Sequence, residues 1–135
     1  SRAAKERPWP DTAAGLTGVQ TLVPLMLDHV NAGRLPLTRL VDLMCAGPAR
    51  VYGVVGKGRL AAGYDADFTI VDLGKKRVIE ESWIVSPCGW TPFAGQECTG
   101  WPVMTIIRGQ LVMREDEVLG TPRGGLVRFA EARGF

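Results

Sequence analysis

The sequence predicts an α/β chain, with its helices in the first half and its strands in the second. Three observations carry this. Between Gly18 and Leu35 apolar residues recur at three- and four-residue spacing, the period of a one-faced helix. After Gly56 the period shortens to two, which suits strands with a buried face. The chain also holds 17 glycines and 9 prolines in 135 residues, so turns and ordered loops should separate short elements.

In chain order, residues 1–18 read as an open segment. Pro8 and Pro10 remove helix donors, and Gly15 and Gly18 loosen the backbone. The run GVQTLVPLMLDHVNAGRL follows as a helix whose stripe is Val19, Leu22, Val23, Met26, Leu27 and Val30. Asn31 and Gly33 cap it, and Pro24 sits in the first two turns, where a missing N–H costs least. A second helix is expected in LTRLVDLMCAG, with Leu37, Leu40, Val41 and Met44 on one face, Thr38 as N-cap and Gly47-Pro48 as its stop. PARVYGV then makes one further turn, from Pro48 to Gly53. DFTIVDL is a strand, with KRVIEESWIV as its expected partner. SPCGWTPFAGQECTGWP reads as a turn-rich aromatic loop. A hairpin joins Val103–Ile107 to Leu111–Met113 through a turn at Arg108-Gly109-Gln110, and VLGTPRGGLVRFAEARGF forms a loose arm.

Composition narrows the functional classes. An apolar fraction of 46% is that of an ordinary globular protein. A net charge of +2, with Lys and Arg scattered, lacks the basic stripe a nucleic-acid surface needs. No apolar run reaches the roughly 18–20 residues that span a bilayer, and SRAAKERPWP has no signal-peptide centre. Cys45, Cys88 and Cys98 form no CxxC pair, so structural zinc is unsupported and a reducing cytoplasm is the simplest location.

Each candidate for chemistry has a plainer reading beside it. Asp65 and Asp67 in GYDADF start like a calcium loop, but the ligands stop at once in Phe68-Thr69-Ile70-Val71. GVVGKGR lacks the spacing of a phosphate loop. A structural turn is the expectation, with Gly63 supplying unusual backbone angles, Asp65 a local turn and Asp67 the start of a strand. His29, the only histidine, lies off the apolar stripe and reads as a surface residue. Cys45 is expected in the core. Cys88 and Cys98 lie in the aromatic loop with nothing nearby to activate a thiol. Glu80-Glu81 and Glu115-Asp116-Glu117 read as solvated strand ends. Trp90, Phe93 and Trp101 are expected to pack over a sheet or a neighbouring domain. The small residues of TAAGLTG, residues 12–18, either let a backbone approach a ligand closely or form a flexible loop. Read this way, the chain holds no self-sufficient active site.

Three stretches carry a resemblance. PARVYGVVGKGRLAAGYDADFTIVDL resembles the passage from the last barrel helix into the small β-sandwich of cyclic amidohydrolases. CGWTPFAGQECTGWPVMTIIRGQLVMRED resembles the narrower dihydroorotase pattern C/S-x-W-T/S-P-F-x-G followed by GWP-x-x-T and RG. AAGLTGVQTLVPLML is similar to that family's S/A-G-x-x-G-V-E/Q-T run. Together they cover the chain from about Ser1 to Phe129 and liken it to the carboxy-terminal third of a dihydroorotase.

The resemblance implies the terminal part of a (β/α)8 amidohydrolase barrel, a loop plus helices over residues 1–55, followed by β-sandwich strands and an arm over residues 56–135. It implies a hydrolase that interconverts N-carbamoyl-aspartate and dihydroorotate in pyrimidine synthesis, with zinc activating water. The family's metal ligands and catalytic aspartate lie in motifs upstream of SRAAKERPWP, so none falls on a residue here. Only the backbone of Ala14, Gly15 and Leu16 matches substrate-contacting positions. The partners implied are the small-molecule substrate and the rest of the barrel or a self-associated dimer, with aspartate transcarbamoylase if the parent is a non-catalytic scaffold. A hydantoinase or allantoinase fragment is the enzymatic alternative. The isolated chain is expected to be inactive.

Overall fold

The computed structural model describes residues 2–130. Four helical segments precede a four-stranded sheet: α1 (Arg2–Lys5), α2 (Leu22–Asn31), α3 (Leu37–Val41), α4 (Gly47–Val51), β1 (Phe68–Val78), β2 (Glu97–Ile107), β3 (Gln110–Arg114) and β4 (Glu117–Val118). The sheet is antiparallel throughout, in the order β1-β2-β3-β4.

Helix α2 ends as the cap residues predict. Gly33 takes φ 70°, its N–H meets Val30 O at 2.9 Å, and Arg34 N–H meets His29 O at 2.9 Å, the paired bonds of a Schellman motif. The buried face differs from the predicted stripe. Pro24 and Leu27 are buried, whereas Val19 is 96% exposed and Leu22 is exposed. The sheet decides which face is covered. Gly100 on β2 has φ 104°, and a Cβ there would stand 2.7 Å from Leu27 Cβ, so only glycine lets the helix lie this close.

Helices α3 and α4 are one continuous rod joined by a π-helical turn over Asp42–Ala46. Gly47-Pro48 therefore does not stop the second helix, and Pro36 rather than Thr38 precedes its first turn. Pro48 has no N–H to give, and the wider turn absorbs it. Gly47 N–H reaches back to Asp42 O, and a Cβ on Gly47 would lie 2.7 Å from that oxygen. Asp42 braces the turn from outside, accepting hydrogen bonds from Arg39 Nη1 at 2.9 Å and Arg50 Nη1 at 2.8 Å. The short turn from Pro48 closes at Gly53, with φ 65°, as expected.

In the sheet, the hairpin lies where it was predicted. Arg108 and Gly109 both have positive φ, 47° and 76°, as a two-residue type I′ turn requires. The flanking strands are longer than expected. Lys75–Val78 continues β1 instead of pairing with it, after an irregularity where Asp72 Oδ1 accepts Gly74 N–H at 2.9 Å. Glu97–Pro102, predicted as loop, is the first half of β2 and pairs with Val71–Val78. Residues 119–130 run outside the sheet and touch back through a bridge between Val54 and Phe129. The rest of the predicted arm lies outside the described residues.

The core lies where α2 meets β2. Ile79, Cys98 and Trp101 are fully buried, with Leu25, Trp83 and Phe93 against them. Trp83 meets Trp101 edge to face at 5.0 Å, and the Arg77 guanidinium lies 4.6 Å from the Trp101 ring. The first half of β2 has a strand on one edge only. On the other, Asp28 Oδ1 accepts Thr99 N–H at 3.1 Å and Asn31 Nδ2 donates to Thr99 O at 2.8 Å. Two side chains one helical turn apart thus substitute for a neighbouring strand.

Candidate functional site

Ala14, Gly15 and Leu16 form an exposed bow between α1 and α2. Among the described residues their N–H and C=O groups make no hydrogen bond, and Gly15 has φ 81°. The bow is tied at both ends. Upstream, Ala13 N–H donates to Ala4 O at 3.0 Å, the Lys5 ammonium reaches Ala13 O, and Thr12 Oγ1 bonds Lys5 O at 3.1 Å. The one-turn α1, absent from the sequence reading, supplies this anchor. Downstream, Thr17 Oγ1 donates to Trp90 O at 2.8 Å. Gln20 spans two backbone groups: its Nε2 donates to Trp83 O at 2.6 Å and its Oε1 accepts Val85 N–H at 3.0 Å. Leu16–Thr21 and Ile84–Ser86 border a shallow cavity of about 440 Å³. Sequence reasoning named the bow and missed Gln20. The available signal was an amide side chain just ahead of an apolar helix.

Cys88 stands beside this junction, half-buried, with its Sγ 3.4 Å from Ser86 Oγ. The Ser86 hydroxyl holds its pKa below the ordinary thiol value, a shift the sequence did not foresee. No charged group contributes to that shift, so a strongly activated nucleophile is not indicated. Burial pushes the Cys98 thiol up, and that residue is core strand rather than loop. Cys45, expected in the core, is exposed, within the π turn of the helix rod.

The Asp65–Asp67 pair is occupied by a cation of the chain itself. Lys57 Nζ lies 2.8 Å from Asp65 and 2.5 Å from Asp67, and Asp67 Oδ1 accepts Arg108 N–H at 2.8 Å. The Lys57 ammonium holds the Asp67 pKa below its ordinary value, and the Asp65 and Asp67 carboxylates raise that of Lys57. Gly63, with φ 84°, provides the expected backbone turn. This cluster ties the lead-in of β1 to the hairpin turn.

His29 is exposed, and its Nδ1 accepts Arg34 Nε–H at 2.6 Å. Among the described residues no three His, Cys, Asp or Glu side chains come together to hold a metal ion. No helix among them is long and apolar enough to cross a membrane. A trough of about 1260 Å³ runs between the α3–α4 rod and the sheet, lined by Val41, Met44, Cys45, Tyr52, Phe68 and Ile106 among others.

The sequence model of the amidohydrolase family matches residues 12–112, from the bow to the end of the hairpin. The chain belongs to the amidohydrolase family. A dihydroorotase of Pyrococcus furiosus is 46% identical to this amidohydrolase chain over 112 residues, which is 83% of the chain and 27% of that protein. An L-hydantoinase of Paenarthrobacter aurescens is 42% identical over 120 residues, 85% of the chain and 26% of that enzyme. Among solved structures, L-hydantoinase (dihydropyrimidinase) from Arthrobacter aurescens superposes with a TM-score of 0.78 at 41% identity, over 82% of this chain and 25% of that one. The amidohydrolase chain thus spans about a quarter of the length of these relatives. The family is the one its motifs resemble, and a hydantoinase-like arrangement of helices and antiparallel sheet accompanies it.

Proposed function

We propose that this chain is the carboxy-terminal part of a dihydroorotase, a hydrolase of the cyclic amide dihydroorotate in pyrimidine synthesis. The observation that carries it is the 46% identity with the Pyrococcus furiosus dihydroorotase across a chain bearing CGWTPFAG and TGWP. In this reading residues 1–55 close a catalytic barrel and residues 56–135 belong to the β-sandwich, in a cytoplasmic enzyme. The backbone groups of Ala14, Gly15 and Leu16 would meet the substrate's amide and carboxylate edge, because they are exposed and free of other bonds among the described residues.

Zinc is implied by the family but does not fit the residues described. The single histidine is bonded to Arg34, and no group of three ligating side chains assembles. Metal ligands and the proton-moving carboxylate would belong to the remainder of the enzyme, and this chain's contribution is binding and orientation. A second reading, a hydantoinase of the same family, draws support from the L-hydantoinase identity and superposition.

One hybrid tests both. This chain replaces the matching quarter of the Pyrococcus furiosus dihydroorotase, and turnover of dihydroorotate and of hydantoin is measured with zinc present. Dihydroorotate turnover well above hydantoin turnover is expected; the reverse order would transfer the chain to the second reading. The 135-residue chain alone is expected to give no turnover with added zinc, and clear metal-dependent activity would refute that division of labour.

A further inference from the structure

The bow at Ala14–Leu16 has no bonds of its own among the described residues, so its position depends on its ties. The downstream tie is unusual in kind. Gln20 presents its amide to residues 83 and 85 as a strand would, donating to Trp83 O and accepting from Val85 N–H. Thr17 adds a bond to Trp90 O three residues earlier. All three partners are backbone atoms of residues 83–90, and that stretch is fixed at its start. Trp83 packs on the buried Ile79–Cys98–Trp101 cluster, and its indole Nε1 donates to Asp116 Oδ1 at 3.0 Å. Thr17 and Gln20 thus pin the chain just downstream of the bow through three bonds.

We infer that Gln20 is the positioning residue of this loop, acting with Thr17 to set Ala14, Gly15 and Leu16 at the height where their backbone groups meet a cyclic amide bearing a carboxylate. The inference rests on the substrate-side reading of that loop. Gln20 touches no substrate; it works through the backbone it holds. Loss of the clasp leaves Trp83 O and Val85 N–H without these partners and lets the bow sample other positions, so ground-state and transition-state binding weaken together.

The first measurement uses the 135-residue chain itself. Gln20→Met keeps the side chain's length and removes both hydrogen bonds. Amide hydrogen exchange at Val85, and at Ala13 and Leu22, whose N–H groups are bonded to Ala4 O and Gly18 O at either end of the loop, is expected to accelerate about tenfold or more, while β2 stays protected. Unchanged exchange at Ala13 and Leu22 would overturn the inference, and so would an equal acceleration throughout β2, which would mark a folding role. Gln20→Glu retains an acceptor for Val85 N–H and is expected to restore part of the protection. The second measurement uses the hybrid enzyme. There Gln20→Met should raise KM for dihydroorotate about tenfold with kcat within about twofold, and Gln20→Glu should recover part of the loss. A fall in kcat at constant KM, or no kinetic change, would also overturn it. An unsubstituted hybrid inactive on dihydroorotate would defeat the dihydroorotase reading, while the exchange data would still decide the clasp.

Discussion

Around Trp101 the chain closes on itself. Ile79, Cys98 and Trp101 have no exposed surface, and α2 lies close enough that Gly100 can carry no side chain. Along the α3–α4 rod, residues of the same chemistry stay open. Val41 is 53% exposed and Tyr52 71%, and Phe68 faces the same trough. Hydrophobicity does not separate these regions, because both are rich in large apolar side chains. What separates them is the element opposite. The first region has α2, β1 and β2 to seal it; in the second an open trough separates the rod from the sheet. Contiguous apolar faces are where a protein meets another surface. In the proposed enzyme the second region would be such a contact face, and only the first is a core in its own right.

Substitutions can break that contrast. The largest effect is expected in the closed region, where Trp101→Ala removes the biggest buried side chain and should cost about 4 kcal/mol in urea denaturation. A loss below about 1 kcal/mol would mean the cluster does not hold the fold together.

The ion cluster that lines the trough is expected to matter less. Asp67→Asn should cost about 1 kcal/mol, since it weakens the half-exposed pair with Lys57 while an amide oxygen can still accept Arg108 N–H. The pH dependence has a definite sign. Asp67 has a lowered pKa, so its contribution is present above the ordinary value of 3.8 and fades as pH falls through the depressed one. Lys57 has a raised pKa, so its contribution is present below the ordinary 10.5 and fades as pH climbs through the raised one. The difference between wild type and Asp67→Asn should therefore shrink below about pH 4, as melts across a pH series would reveal. In the hybrid enzyme this variant should lower the melting temperature and leave turnover largely intact; the opposite pattern would bring Asp67 into the chemistry.

The smallest effect belongs to the open face. Tyr52→Ser is expected to change the stability of the isolated chain by no more than about 0.5 kcal/mol. A larger loss in a concentration-dependent melt would show that another surface already covers this face.

The sequence made the local features legible. The hairpin, the Gly33 cap and the Gly63 turn each follow from a few neighbouring residues whose backbone needs are specific. The family was legible from motifs for the same reason. Features set by distant partners were not. Glu97–Trp101 reads as loop because Gly100 and Pro102 disfavour a strand, yet Gly100 is there to admit Leu27 from α2. Val19 and Leu22 fit a helical stripe, but the sheet covers the turn bearing Pro24 and Leu27 instead. Cys45 looks like a core residue, but it borders the same open trough as Val41 and Met44. At the candidate site, glycines and small residues pointed to the bow, whereas the Gln20 clasp joins positions 20, 83 and 85 and leaves no local pattern.

The π-helical turn has a further consequence for counting. Each residue advances an α-helix by about 100°, so one residue too many in a regular helix would rotate everything after it by that angle. The wide turn at Asp42–Ala46 takes up its extra residue within a single turn, and Arg50 still reaches back to Asp42. Removing one residue there would restore a regular helix and leave Arg50 and Tyr52 on nearly the faces they hold now. Two relatives that differ by a single residue at this point would present the same face of the helix to whatever lies opposite.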